Sequence, residues 1–388
     1  MKSNHVVIVG GGVIGSAIAY FLAAHPRFQG QVTVIERDPS YVQASSTLSA
    51  SSIRQQFSTP VNIQMSQFGF AFLRDIQQTL SVPEHAPEVG LQERGYLYLA
   101  SESGAAALQE NHLVQQTQDV DVALLDRAAL AQKFPWLHVD DLALGSLGVH
   151  GEGWFDGYAL LMAFRRKARS LGVTYVQTEA QGFAHQAGRV HAVHLRDGSS
   201  LACDWAVNAA GAWARPLLQH TGFDLPVVGK KRDVFVVSSP AKTPDCPLVI
   251  DPSGLWFRPE GQFWLCGIPP EEDLDDVPLD VDHRQFDAVW QIIAMRVPGF
   301  EALRMQRAWA GYYEYNLFDQ NAVLGPHPLL PNLMLANGFS GHGMQHSPAA
   351  GRGIAELIAD GAYQSLDLSL LSAQRLLDQQ PLIEKNVI

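Results

Sequence analysis

A glycine-rich turn between a short apolar run and an apolar helix is the feature that most constrains this chain. Residues 6–9 predict a buried strand, and Gly10, Gly12 and Gly15 follow with G-x-G-x-x-G spacing at the start of an alanine-rich helix. In this arrangement the first glycine allows a tight turn, the second lets the backbone approach a pyrophosphate, and the third lets the helix pack on its strand. The helix N-terminus adds free N–H groups and a partial positive charge for phosphates.

The second strand supports the same interpretation. Residues 32–35 form an apolar run that ends in Glu36, about 20 residues after Gly15, where a carboxylate can accept hydrogen bonds from an adenosine ribose. The order strand, glycines, helix, strand and acid predicts dinucleotide binding. The alternative, a signal or membrane segment, fits poorly because glycines interrupt the run and Lys2 is its only positive flank.

Length, charge and cysteine content limit the remaining possibilities. The 388 residues suffice for two domains, and 47% apolar with 17% charged residues is typical of globular proteins. A net charge of −12 argues against nucleic acid and anionic membrane surfaces as partners, and no window resembles an integral membrane segment. Cys203, Cys246 and Cys266 form no C-x-x-C pair, so we predict no disulfide framework, no metal site and a cytoplasmic location.

A run of small polar residues follows the second strand. Residues 44–57 show neither helical nor strand periodicity and predict a loop. The hydroxyl groups of Ser45, Ser46, Thr47 and Ser49 can hydrogen-bond to a phosphate or a cofactor ring. A solvated surface loop is the alternative, and the large side chains within the segment argue against it.

A second cluster of small residues lies near the middle of the chain. The predicted strand 201–207 leads into Ala210, Gly211 and Trp213. Small residues between a strand and a helix permit a close backbone approach to a dinucleotide. They equally permit plain tight packing, and both explanations stay open on these residues alone.

Near the C-terminus, a predicted strand at residues 332–337 precedes the glycine-rich loop 338–345. Ser347 suits an N-cap and Pro348 suits the first helical position, so we predict a helix from there to about Asp360.

The fold class predicted from these segments is α/β with two domains, a Rossmann-like cofactor domain and a substrate domain with a large, mainly antiparallel sheet. Residues 226–315 are mostly strand-like, with aromatic-rich segments between proline and glycine turns. The predicted segments are 1–84, 150–224 and 318–388 for the cofactor domain, and 85–149 and 225–317 for the substrate domain.

Together these segments resemble the FAD-dependent D-amino-acid oxidase (DAO) superfamily, within its sarcosine-oxidase and glycine-oxidase branch. The matching pieces occur in the family's order: GGGVIG with Glu36, SSTLSASSIRQQFS, VNAAGAWA, and NGFSGHGMQHSPAAGRGIAEL. The chain looks most similar to the FAD-dependent oxidoreductase-domain proteins, which include a mitochondrial complex I assembly flavoprotein. There the resemblance extends to YYEYNLFDQNAVLGPHP and the terminal PLIEKNVI.

The resemblance implies FAD as cofactor, built into a domain of discontinuous segments. It implies hydride transfer from the carbon beside an amine nitrogen to flavin N5, followed by hydrolysis of the imine. A helix N-terminus aimed at the flavin N1–C2=O edge would stabilise the reduced ring. The candidate FAD contacts are Gly10, Gly12, Val13, Ile14, Gly15, Glu36, Arg37, Ser45, Ser46, Thr47, Ser49, Ala210, Gly211, Trp213, Gly338, Gly341, His342, Gly343, Met344 and Gln345.

The resemblance also assigns candidate catalytic residues. Arg54 stands where sarcosine oxidases place a carboxylate-binding arginine, and a guanidinium fork suits that task. Tyr313 falls where such enzymes have an active-site tyrosine, and Arg258 is a candidate for a second anion contact. Gln345 stands at the place of a second carboxylate-binding lysine, and His342 is expected to fix its loop.

Departures from the family pattern refine these expectations. Gly311 and Tyr312 occupy the region where monomeric sarcosine oxidases carry a flavin-linking cysteine, and no linking histidine lies near residues 46–52, so we predict noncovalent FAD. No lysine lies near residues 266–269, where an oxygen-activating lysine would fall, which favours a dehydrogenase over an oxidase. Tyr313 replaces the glycine-oxidase arginine, which favours N-substituted amino acids over glycine.

The leading hypothesis is therefore a FAD enzyme that oxidises the C–N bond of an N-alkyl or cyclic amino acid and passes electrons to O2, a quinone or an electron-transfer protein. One alternative is a D-amino-acid or hydroxyproline-type dehydrogenase on the same scaffold. A second alternative is a flavoprotein that acts as a binding or assembly factor without turnover.

Overall fold

The computed structural model of the chain describes residues 4–385. The two ends of the predicted cofactor domain, residues 1–3 and 386–388, lie outside the described residues. The last three residues of PLIEKNVI belong to this undescribed part. The strands are β1 (Asn4–Val9), β2 (Gly30–Glu36), β3 (Ser52–Ile53), β4 (Tyr96–Ala100), β5 (Val122–Asp126), β6 (Leu144–Gly148), β7 (Gly153–Trp154), β8 (Thr174–Gln177), β9 (Ala180–Gln186), β10 (Arg189–Leu195), β11 (Ser200–Ala202), β12 (Trp205–Asn208), β13 (Val227–Ser238), β14 (Leu248–Ile250), β15 (Trp256–Glu260), β16 (Phe263–Gly267), β17 (Arg304–Asn316), β18 (Val323–His327) and β19 (Leu330–Asn337).

The helices are α1 (Val13–Ala23), α2 (Ser45–Leu48), α3 (Pro60–Arg74), α4 (Ile76–Leu80), α5 (Glu102–Thr117), α6 (Arg127–Lys133), α7 (Gly157–Ser170), α8 (Gln285–Arg296), α9 (Gly343–Asp360) and α10 (Gln374–Leu377), with 3-10 turns at Gly211–Trp213, Pro216–Leu218, Pro298–Ala302 and Ser369–Leu371. Within residues 4–385, no helix is both long and apolar enough to cross a membrane.

A six-stranded sheet in the order β18-β19-β12-β1-β2-β8 holds the N-terminal glycine turn. Its strands are parallel except β18, which pairs antiparallel with β19. The central strand β1 is largely buried. Helix α1 packs on it, and α9 and α7 pack against α1. Gly351 permits the close crossing of α9 on α1, since a Cβ there would lie 2.8 Å from the Cβ of Ala17.

An eight-stranded sheet in the order β17-β13-β16-β15-β14-β4-β6-β5 forms the second layer. All its pairs are antiparallel except β14 with β4. The long pair β13 and β17 places Arg232 opposite Gly311 and Lys230 opposite Tyr313. The predicted α/β class with a large, mainly antiparallel second sheet matches this arrangement, and the predicted domain boundaries stay a prediction.

Two local predictions need correction. The loop predicted at 44–57 contains the short elements α2 and β3. The last long helix, α9, begins at Gly343 rather than after Ser347, so Pro348 lies inside it. Proline lacks the N–H that would bond the carbonyl one turn earlier. The Ser347 hydroxyl donates to that carbonyl, Met344 O, at 2.9 Å, which makes the internal proline tolerable.

Candidate cofactor and substrate site

A cavity of about 440 Å³ lies where the two large sheets meet. We call its two sides the cofactor wall and the substrate wall. The cofactor wall contains residues drawn from segments 9–14, 35–50, 178–181, 209–219 and 339–344, and the substrate wall contains Arg232, Val234, Trp256, Gly311, Tyr312, Tyr313 and Glu314.

Most of the predicted site residues lie on this cavity. Those on its walls are Gly10, Gly12, Val13, Ile14, Glu36, Arg37, Ser45, Ser46, Ser49, Ala210, Gly211, Trp213, Gly341, Gly343, Met344 and Tyr313. Those behind the walls are Gly15, Arg54, Thr47, Arg258, Gly338, His342 and Gln345. The second group therefore reaches the cavity only through neighbouring side chains or loops.

The glycine turn is as tight as its sequence predicts. Gly10 has φ of +101°, and a Cβ there would lie 2.2 Å from the carbonyl oxygen of Ala209. A Cβ on Gly15 would lie 1.9 Å from the Gly10 oxygen, so this glycine serves helix packing rather than cofactor contact. At the start of α1 the Val13 N–H donates to the Ser46 hydroxyl at 3.0 Å. The turn and the polar segment after β2 thus meet at one helix N-terminus.

Glu36 and Arg37 lie at the end of β2 on the same wall. The two Glu36 carboxylate oxygens accept the N–H groups of Gly11 and Asp38, each at 2.8 Å. A carboxylate has about four acceptor positions, so it retains capacity for a ribose hydroxyl. The Arg37 guanidinium lies 3.8 Å from the centre of the Trp213 ring, which makes a flat cationic and aromatic surface beside the acid.

Buried polar atoms on and beside this wall lack partners in a way that fits FAD. Tyr41 OH and Thr47 Oγ1 are buried and have no hydrogen-bond partner among the described residues. Burial raises the pKa of Tyr41, which keeps its phenol as a donor. Buried polar groups are normally paired, and the phosphate and hydroxyl groups of bound FAD would supply partners for both atoms. Together with the glycine cradle, the residues present fit the dinucleotide.

Glu314 is a buried acid at the seam between the two walls. Its Oε2 accepts the Gly338 N–H at 3.3 Å, and its Oε1 lies 3.6 Å from where a Cβ on Gly343 would stand. Burial raises the pKa of Glu314 to about 8, and hydrogen bonds from the Gly338 and Phe339 N–H groups oppose that shift. The N-terminus of α9 therefore lies beside a buried carboxyl whose raised pKa favours the protonated form.

Three of the predicted catalytic residues form one cluster behind the cofactor wall. The Arg54 Nη2 donates to His342 Nε2 at 3.0 Å, and the Arg54 N–H donates to Gln345 Oε1 at 2.8 Å. Burial, then the Arg54 charge, lowers the pKa of His342 well below its ordinary value. Arginine has only donors, so the neutral imidazole accepts at Nε2 and carries its proton on Nδ1. The Arg54 guanidinium also lies 4.4 Å from the centre of the Phe57 ring.

A buried glutamate fixes the chain next to Arg54. Glu152 accepts the Gln55 N–H at 2.6 Å and the Gln56 side-chain amide at 2.8 Å. Burial raises the pKa of Glu152 to about 7, opposed by these hydrogen bonds and by the Arg54 charge. The segment that carries Arg54 is therefore held from behind by a side chain that sequence reasoning did not single out.

The remaining predicted catalytic residues separate. Tyr313 lies on the substrate wall against Gly341, where a Cβ would lie 2.6 Å from its ring and φ is +94°. Arg258 instead binds the Glu260 carboxylate and donates to the Ala50 carbonyl at 2.9 Å, which supports the wall from behind.

Sequence reasoning missed Arg232, Trp256, Tyr41 and Glu314. A signal for Arg232 existed, because residues two apart in a strand point to the same face, which places Arg232 beside Val234. No such signal marks Tyr41, which follows β2 in an irregular segment. Among residues 4–385, no group of three or more His, Cys, Asp or Glu is placed to hold a metal ion.

Comparison with known proteins identifies the family. A family model described as FAD dependent oxidoreductase (DAO) matches residues 5–357. The chain belongs to this family. FAD-dependent oxidoreductase domain-containing protein 1 of Xenopus laevis is 44% identical over 421 residues, covering 99% of this chain and 84% of the relative.

One more distant relative and one solved structure are also similar over nearly the whole chain. Glycine oxidase of Geobacillus kaustophilus is 26% identical over 385 residues, covering 95% of this chain and 96% of the relative. The crystal structure of L-proline dehydrogenase from P. horikoshii superposes with a TM-score of 0.86 at 23% identity, covering 98% of this chain and 100% of that chain. The predicted fold class and the predicted sarcosine and glycine oxidase branch are confirmed. The protein is a DAO-family, FAD-dependent oxidoreductase related to glycine and amino-acid oxidases.

Proposed function

We propose that the protein oxidises the C–N bond of an N-substituted amino acid, with an N-methyl, N-alkyl or cyclic nitrogen, using noncovalently bound FAD. One observation carries the proposal. Tyr313 of the substrate wall rests on Gly341, and the next residue of that loop, His342, accepts a hydrogen bond from Arg54. Tyr313 on the cavity wall and Arg54 behind it are thus joined through two neighbouring residues of the glycine-rich loop.

The chain's own residues supply orientation and electrostatics. Bound FAD would supply the acceptor for a hydride from the carbon beside the amine nitrogen, and water would then hydrolyse the resulting imine. Neutral His342 leaves the positive charge on Arg54, which is where a substrate carboxylate would be drawn. Tyr313, Trp256 and Val234 give the substrate wall a largely apolar surface, which would limit access of water to a bound substrate.

Noncovalent attachment has structural support. Gly311 lies on the cavity wall near the position of the linking cysteine in monomeric sarcosine oxidases, and none of the described residues on the cavity walls is a cysteine or histidine. Cys203, Cys246 and Cys266 are all buried elsewhere. Acid precipitation should release the yellow colour into the supernatant. Flavin that stayed with the polypeptide would contradict this part of the proposal.

The main test is anaerobic bleaching of the bound flavin by a panel of amines. The panel holds sarcosine, other N-methyl amino acids, proline and hydroxyproline isomers, and D-amino acids. We expect N-substituted amino acids to bleach the flavin and bleached protein to reoxidise slowly in air, as for a dehydrogenase. If no compound bleaches a fully FAD-loaded protein, the proposed reaction is wrong and the non-catalytic alternative gains support.

Arg54→Gln tests the predicted carboxylate contact. Loss of a charge-assisted contact should weaken apparent substrate affinity by about 10-fold or more. Arg54→Lys keeps the charge but not the guanidinium fork, so its apparent substrate affinity should lie between those of the parent and Arg54→Gln. Both variants must retain FAD for the comparison to count, which flavin absorbance per chain measures. Unchanged substrate affinity in Arg54→Gln would remove Arg54 from the site.

A further inference from the structure

Arg232 is a cation on the substrate wall to which the proposed function gives no role. Among the described residues that line the cavity, Arg37 and Arg232 are the cationic ones. Arg37 stacks on Trp213 of the cofactor wall. Arg232 therefore supplies the positive charge on the side where a substrate would lie.

The guanidinium of Arg232 already binds one carboxylate and retains a buried donor. Nη1 and Nη2 donate to the two oxygens of Asp273 at 2.7 and 3.0 Å, and Nη1 also donates to the Lys231 carbonyl at 2.9 Å. The Nε of Arg232 is buried and has no hydrogen-bond partner in the described part of the chain. A buried guanidinium donor without an acceptor is unusual and suits a ligand oxygen.

The bound carboxylate belongs to a loop that lies against the edge of β13. Lys230 pairs with Asp275 at 2.6 Å, and the Gly229 N–H donates to Asp276 at 2.7 Å. The Asp273 side chain is 34% exposed, whereas that of Arg232 is 14% exposed. The protein's own Asp273 carboxylate thus binds Arg232 in the bidentate geometry that a ligand carboxylate would adopt, and water can reach it.

Arg232 and Arg54 are connected through the contact between Tyr313 and Gly341. The Arg232 guanidinium carbon is 5.3 Å from the centre of the Tyr313 ring, and that ring packs on Gly341. His342, the residue after Gly341, accepts a hydrogen bond from Arg54. A ligand lying along Tyr313 would therefore lie near the Arg232 guanidinium and near the loop that contacts Arg54.

We propose that Arg232 binds a second carboxylate of the substrate, so that the preferred substrates are secondary amines with two carboxylates, the N-(carboxyalkyl) amino acids. This inference rests on the proposed function and deepens it. A second carboxylate would accept a hydrogen bond from the unpartnered Nε of Arg232, or it would displace Asp273 from Nη1 and Nη2. An amino acid with a single carboxylate would leave Arg232 bound to Asp273 and would gain no binding affinity from Arg232.

Two matched pairs of compounds test this on the FAD-loaded protein. Iminodiacetate differs from sarcosine only by a carboxylate on the N-methyl carbon. Diglycolate and methoxyacetate are the corresponding ethers, which have no amine to oxidise, so their binding is measured by perturbation of the flavin absorbance without turnover. We expect diglycolate to bind at least about 10-fold more tightly than methoxyacetate, as one charge-assisted contact predicts.

Arg232→Gln should abolish this difference between the two ethers, while Arg307→Gln should leave it intact. Arg307 is a matched control because its guanidinium also lies near an aromatic ring, 5.7 Å from the centre of Trp309, but at an exposed position away from the cavity. Asp273→Asn is a second variant, which leaves Arg232 in place and removes the carboxylate that competes with the ligand for its guanidinium. It should tighten diglycolate binding and leave methoxyacetate unchanged.

The outcomes separate this inference from the proposed function. Bleaching by sarcosine and iminodiacetate with equal affinities, and no effect of Arg232→Gln or Asp273→Asn, would overturn the second carboxylate site and leave amine oxidation intact. Diglycolate binding that depends on Arg232, with no bleaching by any amine, would support the dicarboxylate site and contradict the proposed reaction.

Discussion

The two walls of the cavity are made of different parts of the chain. The cofactor wall presents backbone and small residues such as Gly10, Gly12 and Ser46, whereas the substrate wall presents large side chains, including Trp256 and Tyr313. A backbone surface depends on local φ angles and close approach, so it tolerates almost no added atom. A side-chain surface depends on which strands lie side by side, and it can change residue without losing the fold.

The difference leads to an ordered set of expected effects. Backbone overlap in the cofactor wall should weaken FAD binding most, loss of the buried acid should alter how stability depends on pH, and removal of one hydroxyl from the cofactor wall should have a small effect.

Gly10→Ala should have the largest effect. The new Cβ would lie 2.2 Å from the Ala209 carbonyl oxygen, at a residue with φ of +101°. Positive φ alone costs an alanine about 1–2 kcal/mol, and backbone overlap must be relieved by moving β12 away from the turn. We expect FAD affinity to fall by about 100-fold or more, equivalent to about 2.7 kcal/mol, as measured by quenching of flavin fluorescence on titration.

Gly172→Ala is the matched control for Gly10→Ala. Its φ is +95°, but no atom lies within 4 Å of the added Cβ. It should lose only the strain energy in thermal unfolding and keep full FAD affinity. If both variants lost FAD equally, general destabilisation rather than the shape of the cofactor wall would be responsible.

Glu314→Gln should change how stability depends on pH. Burial raises the folded-state pKa of Glu314 to about 8, above its ordinary value. The folded protein then holds this proton more tightly than the unfolded chain, so the linked stability is full below the ordinary carboxyl pKa and is lost as pH rises through about 8. The variant removes that loss, and it should gain stability relative to the parent by the order of a few kcal/mol at high pH.

Urea unfolding between weakly acidic and alkaline pH measures this effect at equal flavin loading. Glu102→Gln, at the exposed start of α5, is the control and should follow the parent curve. A constant difference between Glu314→Gln and the parent across the range would show that Glu314 does not titrate within it.

The same contrast explains what the sequence could predict. The turn at Gly10 and the acid Glu36 are local, because residues close in sequence build them, and both lie on the cavity. Arg232 depends instead on its register opposite Gly311, which belongs to a distant strand. Periodicity within β13 shows that Arg232 shares a face with Val234, but no local pattern shows what that face covers.

The start of α9 shows where local rules mislead. Pro348 suits a first helical position, yet the helix begins at Gly343. Packing of α9 on α1 and the Ser347 hydroxyl on Met344 O outweigh the proline preference. The consequence for the site is that the helix N-terminus lies within the glycine-rich loop itself, where Gly343 and Met344 reach the cavity.

Ser46→Ala should have the smallest effect and gives the sharpest view of the cofactor wall. The Ser46 hydroxyl accepts the Val13 N–H at 3.0 Å, at the helix end where phosphates are expected. Its loss should cost about 1 kcal/mol of stability without FAD, as for other helix N-terminal caps. If a phosphate oxygen bonds this N–H in the holoprotein, added FAD should restore most of that loss in thermal unfolding. A loss that persists undiminished at saturating FAD would mean that Ser46, and not the cofactor, satisfies the first turn of α1 in both states.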